Sequence, residues 1–255
     1  MPIQDFINRL AVSNCSTNKL SNFSLKSANG RTAASGTVDW YTCPSGKKAA
    51  IIGFAYCTTT GSATVTPMFK SVGGSYYNMS AALTANAFGI TTVGMTCGII
   101  LEAGETFASS QSTATVNVYV SIMEFDADAP IKTAKLLSLS SGNNTLYTVP
   151  AGKSATLLNG NLDIRMPDNN STTNQKVIQY WNNSGGSRSV AFYVVPNGGS
   201  AGSSNRILAT SPASVAAAAF LISYPMCTMN SGDFVVVNTD AATATQWTWV
   251  NVMEI

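Results

Sequence analysis

The chain repeats itself, and that repeat limits its fold more than any other feature. Residues 41–49 read Tyr-Thr-Cys-Pro-Ser-Gly-Lys-Lys-Ala, and residues 147–155 read Tyr-Thr-Val-Pro-Ala-Gly-Lys-Ser-Ala. Each run leads into an apolar pair, Ile51-Ile52 or Leu157-Leu158. Further on, Ser71–Ser75 parallels Pro196–Ser200, Ala87–Ile90 parallels Ala219–Ile222, and Ala103-Gly104-Glu105 parallels Ser231-Gly232-Asp233. The copies also close alike, with Val118–Phe125 matching Thr248–Ile255. Matches in one order at a nearly constant offset mean two copies of one fold.

The repeat sets the expected domains. Residues 1–37 form an N-terminal arm, 38–125 a first domain, 126–139 a linker and 140–255 a second domain. The offset grows by about twenty residues between the Lys-containing runs and the later matches, so the second copy carries an insertion. It is read as a hairpin near 166–187, rich in Asn, Ser, Thr and Gly, with Tyr180 and Trp181 at its centre. In the arm, Ile3, Phe6, Ile7 and Leu10 share one face of a short amphipathic helix over residues 2–12. So short a helix is marginal alone in water. Docking on a partner is therefore one of its two roles; packing on its own domain is the other.

Each copy reads as short strands between turns. Pro44-Ser45-Gly46 and Pro150-Ala151-Gly152 fit type I turns with Pro second and Gly fourth. Val190–Val195 is β-branched and aromatic, and Pro196-Asn197-Gly198-Gly199 stops it. Thr64–Met68 in the first copy lacks so clean a strand pattern. The closing strands are apolar on both faces, so the face turned away from the sandwich is expected to be covered as well. The fold class is all-β: two tandem β-sandwich, jelly-roll-like domains from an internal duplication.

Composition narrows the chemistry. Histidine is absent and charged residues are 10% of the 255, with a net charge of +2. The commonest general base and metal ligand is thus missing, and neither Ser-His-Asp nor Cys-His catalysis can be built. So weak a net field predicts no nucleic-acid partner. Cys15, Cys43, Cys57, Cys97 and Cys227 show no paired spacing and read as small buried side chains in a reducing compartment. Gly152-Lys153-Ser154 resembles the end of a phosphate loop, but Tyr147 occupies the required upstream Gly position. Asp126-Ala127-Asp128 lacks the Gly and Glu of a calcium loop. Asp163 and Asp168 are the acid pair that a glycoside hydrolase would need, without a cleft signature around them. No catalytic residue, metal or cofactor is expected, and no membrane span, since the longest apolar run is Val215–Ile222.

The run Tyr147–Lys153, the stretch Asn183–Gly202, Ser231-Gly232-Asp233 and the closing Glu254-Ile255 resemble a β-sandwich module of tailed-bacteriophage virion proteins. The resemblance covers most of residues 144–255. It implies a virion structural protein assembled in the host cytoplasm, foremost a head decoration or cement protein. Its expected partners are the major capsid protein or other virion proteins. The chain itself would form a closed homo-oligomer, taken as a trimer. The alternatives are a tail, neck or baseplate component, or a surface adhesin whose Tyr180 and Trp181 stack on a host glycan. Partner contacts are otherwise expected at Ile3, Phe6, Ile7 and Leu10.

Overall fold

The structure is a computed structural model. It describes residues 23–59, 61–80, 82–85, 90–93, 99–113, 115–158, 178–207, 213–217, 219–223, 228–242 and 245–255. The expected helix at 2–12, with Ile3, Phe6, Ile7 and Leu10, lies outside them, as do Cys15, Cys97, Cys227, Asp163 and Asp168. The chain divides into two compact units that meet in sequence at Pro130 and Ile131. All strand pairs are antiparallel. Among the described residues, no helix is long and apolar enough to cross a membrane.

In the first unit, one sheet orders β1 (Phe23–Arg31), β10 (Val116–Asp126), β3 (Lys47–Thr58) and β7 (Ile90–Val93), with β8 (Ile100–Leu101) also on β3. The other orders β2 (Gly36–Thr42), β9 (Thr106–Gln111), β4 (Ala63–Lys70) and β5 (Tyr76–Asn78), with β6 (Leu83–Ala85) also on β4. Alternation sets the inner faces. Val116, Val118, Val120 and Ile122 line β10, while Phe54 and Tyr56 line β3, all buried. Phe54 meets Phe107 of the opposite sheet edge-on at 5.4 Å, so the aromatic core joins the two layers.

The second unit repeats this wiring. Its sheets order β17 (Ala219–Ser223), β14 (Ile178–Asn182), β20 (Gln246–Glu254), β13 (Ala155–Leu158) and β18 (Thr228–Met229), with β11 (Ile131–Leu136) also on β20, and β12 (Gly142–Thr148), β19 (Phe234–Thr239), β15 (Arg188–Val195) and β16 (Ala213–Val215). Its core gathers Leu146, Leu157, Tyr180, Phe192, Val235, Val237, Val250 and Val252. The tandem all-β sandwich architecture is as the sequence predicts.

Rung by rung, the correspondence is close. Lys26 opposes Ile122 as Lys132 opposes Val252. A bulge at Trp40 on β2 recurs at Leu146 on β12. Both turns close with an N–H of lysine on a proline carbonyl, Lys47 to Pro44 at 3.2 Å and Lys153 to Pro150 at 3.1 Å. Gly46 (φ 74°) and Gly152 (φ 71°) therefore stand third, the position that a type II turn reserves for positive φ. The turn lies one residue later than the sequence reading placed it.

Three boundaries also move. Residues 23–31 are not part of an arm, because they pair with β10 along nine rungs from Phe23–Phe125 to Arg31–Asn117. Six residues of the expected linker form β11 on β20. Residues 63–70 are a regular strand despite Pro67. The Pro67 carbonyl accepts from Met79 N at 2.8 Å, beyond β5 and before β6, so its missing N–H falls where no ladder partner stands.

The insertion has a defined seat. Along β10, strand β3 runs without a break but bulges at Ile52, between the rungs Ile51–Ile122 and Gly53–Ser121. Along β20, the same strand is two pieces: Leu158 opposes Asn251 and Ile178 opposes Val250. The ladder stops at Leu158 and resumes at Ile178 on the adjacent rung, beside the place where the first copy bulges. The 178–182 end of the expected insertion is thus framework strand. The rungs also match Ile90 with Phe220, two residues from the sequence alignment.

Gly232 tests the local packing. Its φ is 84°, and a Cβ there would lie 2.5 Å from the Asn197 side chain. At Gly152, with φ 71°, a Cβ would meet open space. Gly152→Ala should cost roughly 1–2 kcal/mol from the left-handed backbone alone. Gly232→Ala should cost only slightly more, because the exposed Asn197 side chain that its Cβ would meet can swing aside. Urea unfolding of the two variants measures the difference.

Candidate functional site: a duplicated tyrosine–glutamate–lysine cluster

The matched rungs bring three polar side chains together in each unit. Glu124 and Glu254 end the inward face of β10 and β20, two residues beyond Ile122 and Val252. The bulges on β2 and β12 supply Tyr41 and Tyr147 from the opposite sheet. The edge strands β1 and β11 supply Lys26 and Lys132.

The Tyr41 hydroxyl donates to Glu124 Oε1 at 2.7 Å, and the Tyr147 hydroxyl to Glu254 Oε1 at 2.8 Å. Ser24 adds a second donor to Glu124 at 3.2 Å, and Lys26 Nζ stands 3.6 Å from it. Lys132 forms an ion pair with Glu254 and also sits over the Tyr147 ring, 5.1 Å from its centroid. Burial, then the hydrogen bond to the carboxylate, pushes both tyrosines far above the usual phenol range. Burial pushes the Glu124 carboxyl upward, but the Tyr41 and Ser24 hydrogen bonds and the Lys26 charge outweigh it, so its pKa is lowered. At neutral pH the first cluster holds a protonated phenol on an ionised carboxylate. Each cluster pins the two sheets of its sandwich together at one end.

Several other charged groups are engaged in local structure too. Asp126 pairs with Lys47 at 2.7 Å. Asp39 binds Lys70 at 2.8 Å and accepts from the Tyr76 hydroxyl at 2.9 Å. Glu105 accepts from Glu102 N at 2.9 Å, and Asp233 accepts from Asn230 N at 2.7 Å, each fixing the loop before β9 or β19. Among the described residues, no group of three His, Cys, Asp or Glu side chains is placed to hold a metal. Cys43 is buried and donates to Lys47 O at 3.3 Å; burial, with Glu102, Glu124 and Glu105 nearby, pushes its thiol up to about 11. Such a thiol is a structural side chain, as its isolated spacing suggested.

Tyr180 and Trp181 require a correction. They were read as exposed rings of an inserted hairpin, yet both are buried in β14. The Tyr180 hydroxyl donates to Gln246 Oε1 at 2.7 Å, and burial raises it to about 12. Neither ring face is open to a sugar. Tyr180 occupies the rung of Tyr56, since Tyr56 opposes Val118 as Tyr180 opposes Thr248. The tyrosine shared by Tyr56-Cys57 and Tyr180-Trp181 was the signal that could have placed them. The two clusters were missed because their members lie far apart in sequence: the tyrosines and the glutamates fell inside separate matched runs, and the lysines inside none.

Stability should therefore depend on pH from both sides. Glu124 is depressed when folded, so its contribution is full above the ordinary carboxylate range, near pH 4.3, and fades as pH falls through the folded value. Tyr41 and Tyr147 are raised when folded, so theirs is full below about pH 10 and fades at more alkaline pH. Glu124→Gln should cost about 1–3 kcal/mol at pH 7 and flatten the acid limb. Urea titrations of wild type and variant between about pH 3 and pH 7 measure both effects.

No family model matches the chain, and no curated protein matches it in sequence. Solved structures match distantly. A pentameric capsid protein from metagenomic phage sequences is 12% identical at a TM-score of 0.26, over 48% of this chain and 77% of that one. The PBSX exported protein XepA is 10% identical at a TM-score of 0.25, over 91% and 86%. The tandem CBM22-1–CBM22-2 domain of Paenibacillus barcinonensis Xyn10C is 8% identical at a TM-score of 0.25, over 91% of each chain.

Proposed function

We propose that this chain is a non-enzymatic structural protein of a tailed-phage virion, which binds the head shell as a decoration or cement protein. The observation that carries the reading is the use of its ionisable groups. In both units the matched acids, tyrosines and lysines tie strands and loops together instead of converging on a cleft. The sequence resemblance over residues 144–255 supports the same class. With 10% charged residues, attachment rests on neutral polar and apolar contacts, repeated over many shell positions. The partner is the major capsid protein or another virion protein. The chain acts as a homo-oligomer and joins the particle in the host cytoplasm.

Quantitative mass spectrometry of purified particles, normalised to the major shell protein, tests the placement. A copy number comparable to the shell protein is the expected result. A few copies per particle would move the chain to the neck, tail or baseplate, and absence would end the virion reading. Deleting residues 1–20 should leave the urea transition of the sandwiches intact and weaken co-sedimentation with particles. Equal co-sedimentation would remove the arm from the contact.

A further inference from the structure

The two units treat one sheet face differently. On the outer face of the second unit, Trp247, Trp249, Asn251 and Thr133 are all buried, with Trp181 beside them on β14. The same rungs of the first unit carry Asn117, Tyr119, Ser121, Ser27 and Cys57, and there the face is open. Tyr119 is 51% exposed at its centre. It opposes Ala55 on β3 and Asn29 on β1, with Gly53 and Cys57 on the diagonals, so no bulky side chain of β3 crowds the ring. No described residue hydrogen-bonds the side chains of Ser27, Asn29, Tyr119 or Ser121, whereas Tyr41, Tyr76, Tyr147 and Tyr180 are all engaged. Arg31 stands exposed at the corner.

Size decides between occupants. Three strands about 4.8 Å apart and four alternate positions about 6.8 Å apart, from the exposed Leu25 to Arg31, span roughly 10 by 20 Å. That is on the order of 200 Å², while a stable protein interface takes about 800 Å² per partner. We propose that this face, centred on Tyr119, binds a short oligosaccharide. The apolar C–H face of one sugar ring stacks on the phenol, and hydroxyls of adjoining rings bond Asn29, Ser27, Ser121 and Arg31. The site lies within one unit and is independent of shell attachment, so each reading can fail without the other.

The test is a microarray of neutral and acidic bacterial oligosaccharides probed with the full-length protein, followed by calorimetric titration of the best probe. Tyr119→Ala should weaken that probe at least about tenfold, and Tyr119→Phe should keep most of the affinity. The ring is half exposed, so both variants should unfold at the wild-type urea midpoint. Failure of every oligosaccharide to bind, or equal binding by Tyr119→Ala, overturns the proposal. So does a Tyr119→Ala variant that loses particle co-sedimentation while no sugar binds, since the face would then be a protein contact.

Discussion

Each sandwich depends on its last strand being paired on both sides. β10 lies between β1 and β3, and β20 lies between β11 and the β13–β14 pieces. A slip of one residue would turn Val118, Val120 and Ile122 out of the core and bring Tyr119 and Ser121 in. The carboxylate at the end of the inward row adds a check on register. Glu124 meets Tyr41, and Glu254 meets Tyr147, only if the last strand and the bulge on the facing sheet are both in place. A misplaced bulge would leave a largely buried carboxylate without its phenol, which costs more than the bond contributes when made. Hydrophobic burial holds the layers together, and this polar pin selects their alignment.

Much of the fold was legible because duplication is a global signal. One local match fixes little, but several at one offset show that both halves share one fold. Turns were legible to within a residue: Pro44-Ser45-Gly46 and its copy were seen, but the hydrogen bonds place Gly third. Composition hid β1, since Phe-Ser-Leu-Lys-Ser-Ala-Asn-Gly-Arg is mostly polar or small, as befits an edge with little to bury. Pro67 hid β4, because the gap between β5 and β6 that tolerates it is a tertiary fact. Tyr180 and Trp181 were misplaced for a related reason. Their polar neighbours suggested a loop, while their pairing with β20 depends on residues about seventy positions away.

The polar clusters were illegible in kind. Lys26, Tyr41 and Glu124 lie on three strands and share no sequence motif. Only the structure shows that the second copy repeats the trio at Lys132, Tyr147 and Glu254. Once found, the repetition is informative about role, because two copies of a sandwich that otherwise differ in insertion and outer face keep this contact. The differences mark where the copies parted: the bulge at Ile52 corresponds in rung to the insertion, and the open face around Tyr119 corresponds to a buried one.

The interrupted strand gives the two ladders different histories of assembly. In the first unit, β3 can zip along β10 as one segment of 12 residues, from Lys47 to Thr58. In the second, β13 and β14 must each find β20 across the 19 residues of 159–177. Bringing two pieces 19 residues apart onto one strand costs on the order of 2.5 kcal/mol of chain entropy before the second gains a rung. The finished sheets are alike, yet the second carries the higher contact order and the later commitment. On a growing chain, the strands of the first unit are also the first to emerge, so its ladder can close before the slower one begins to search.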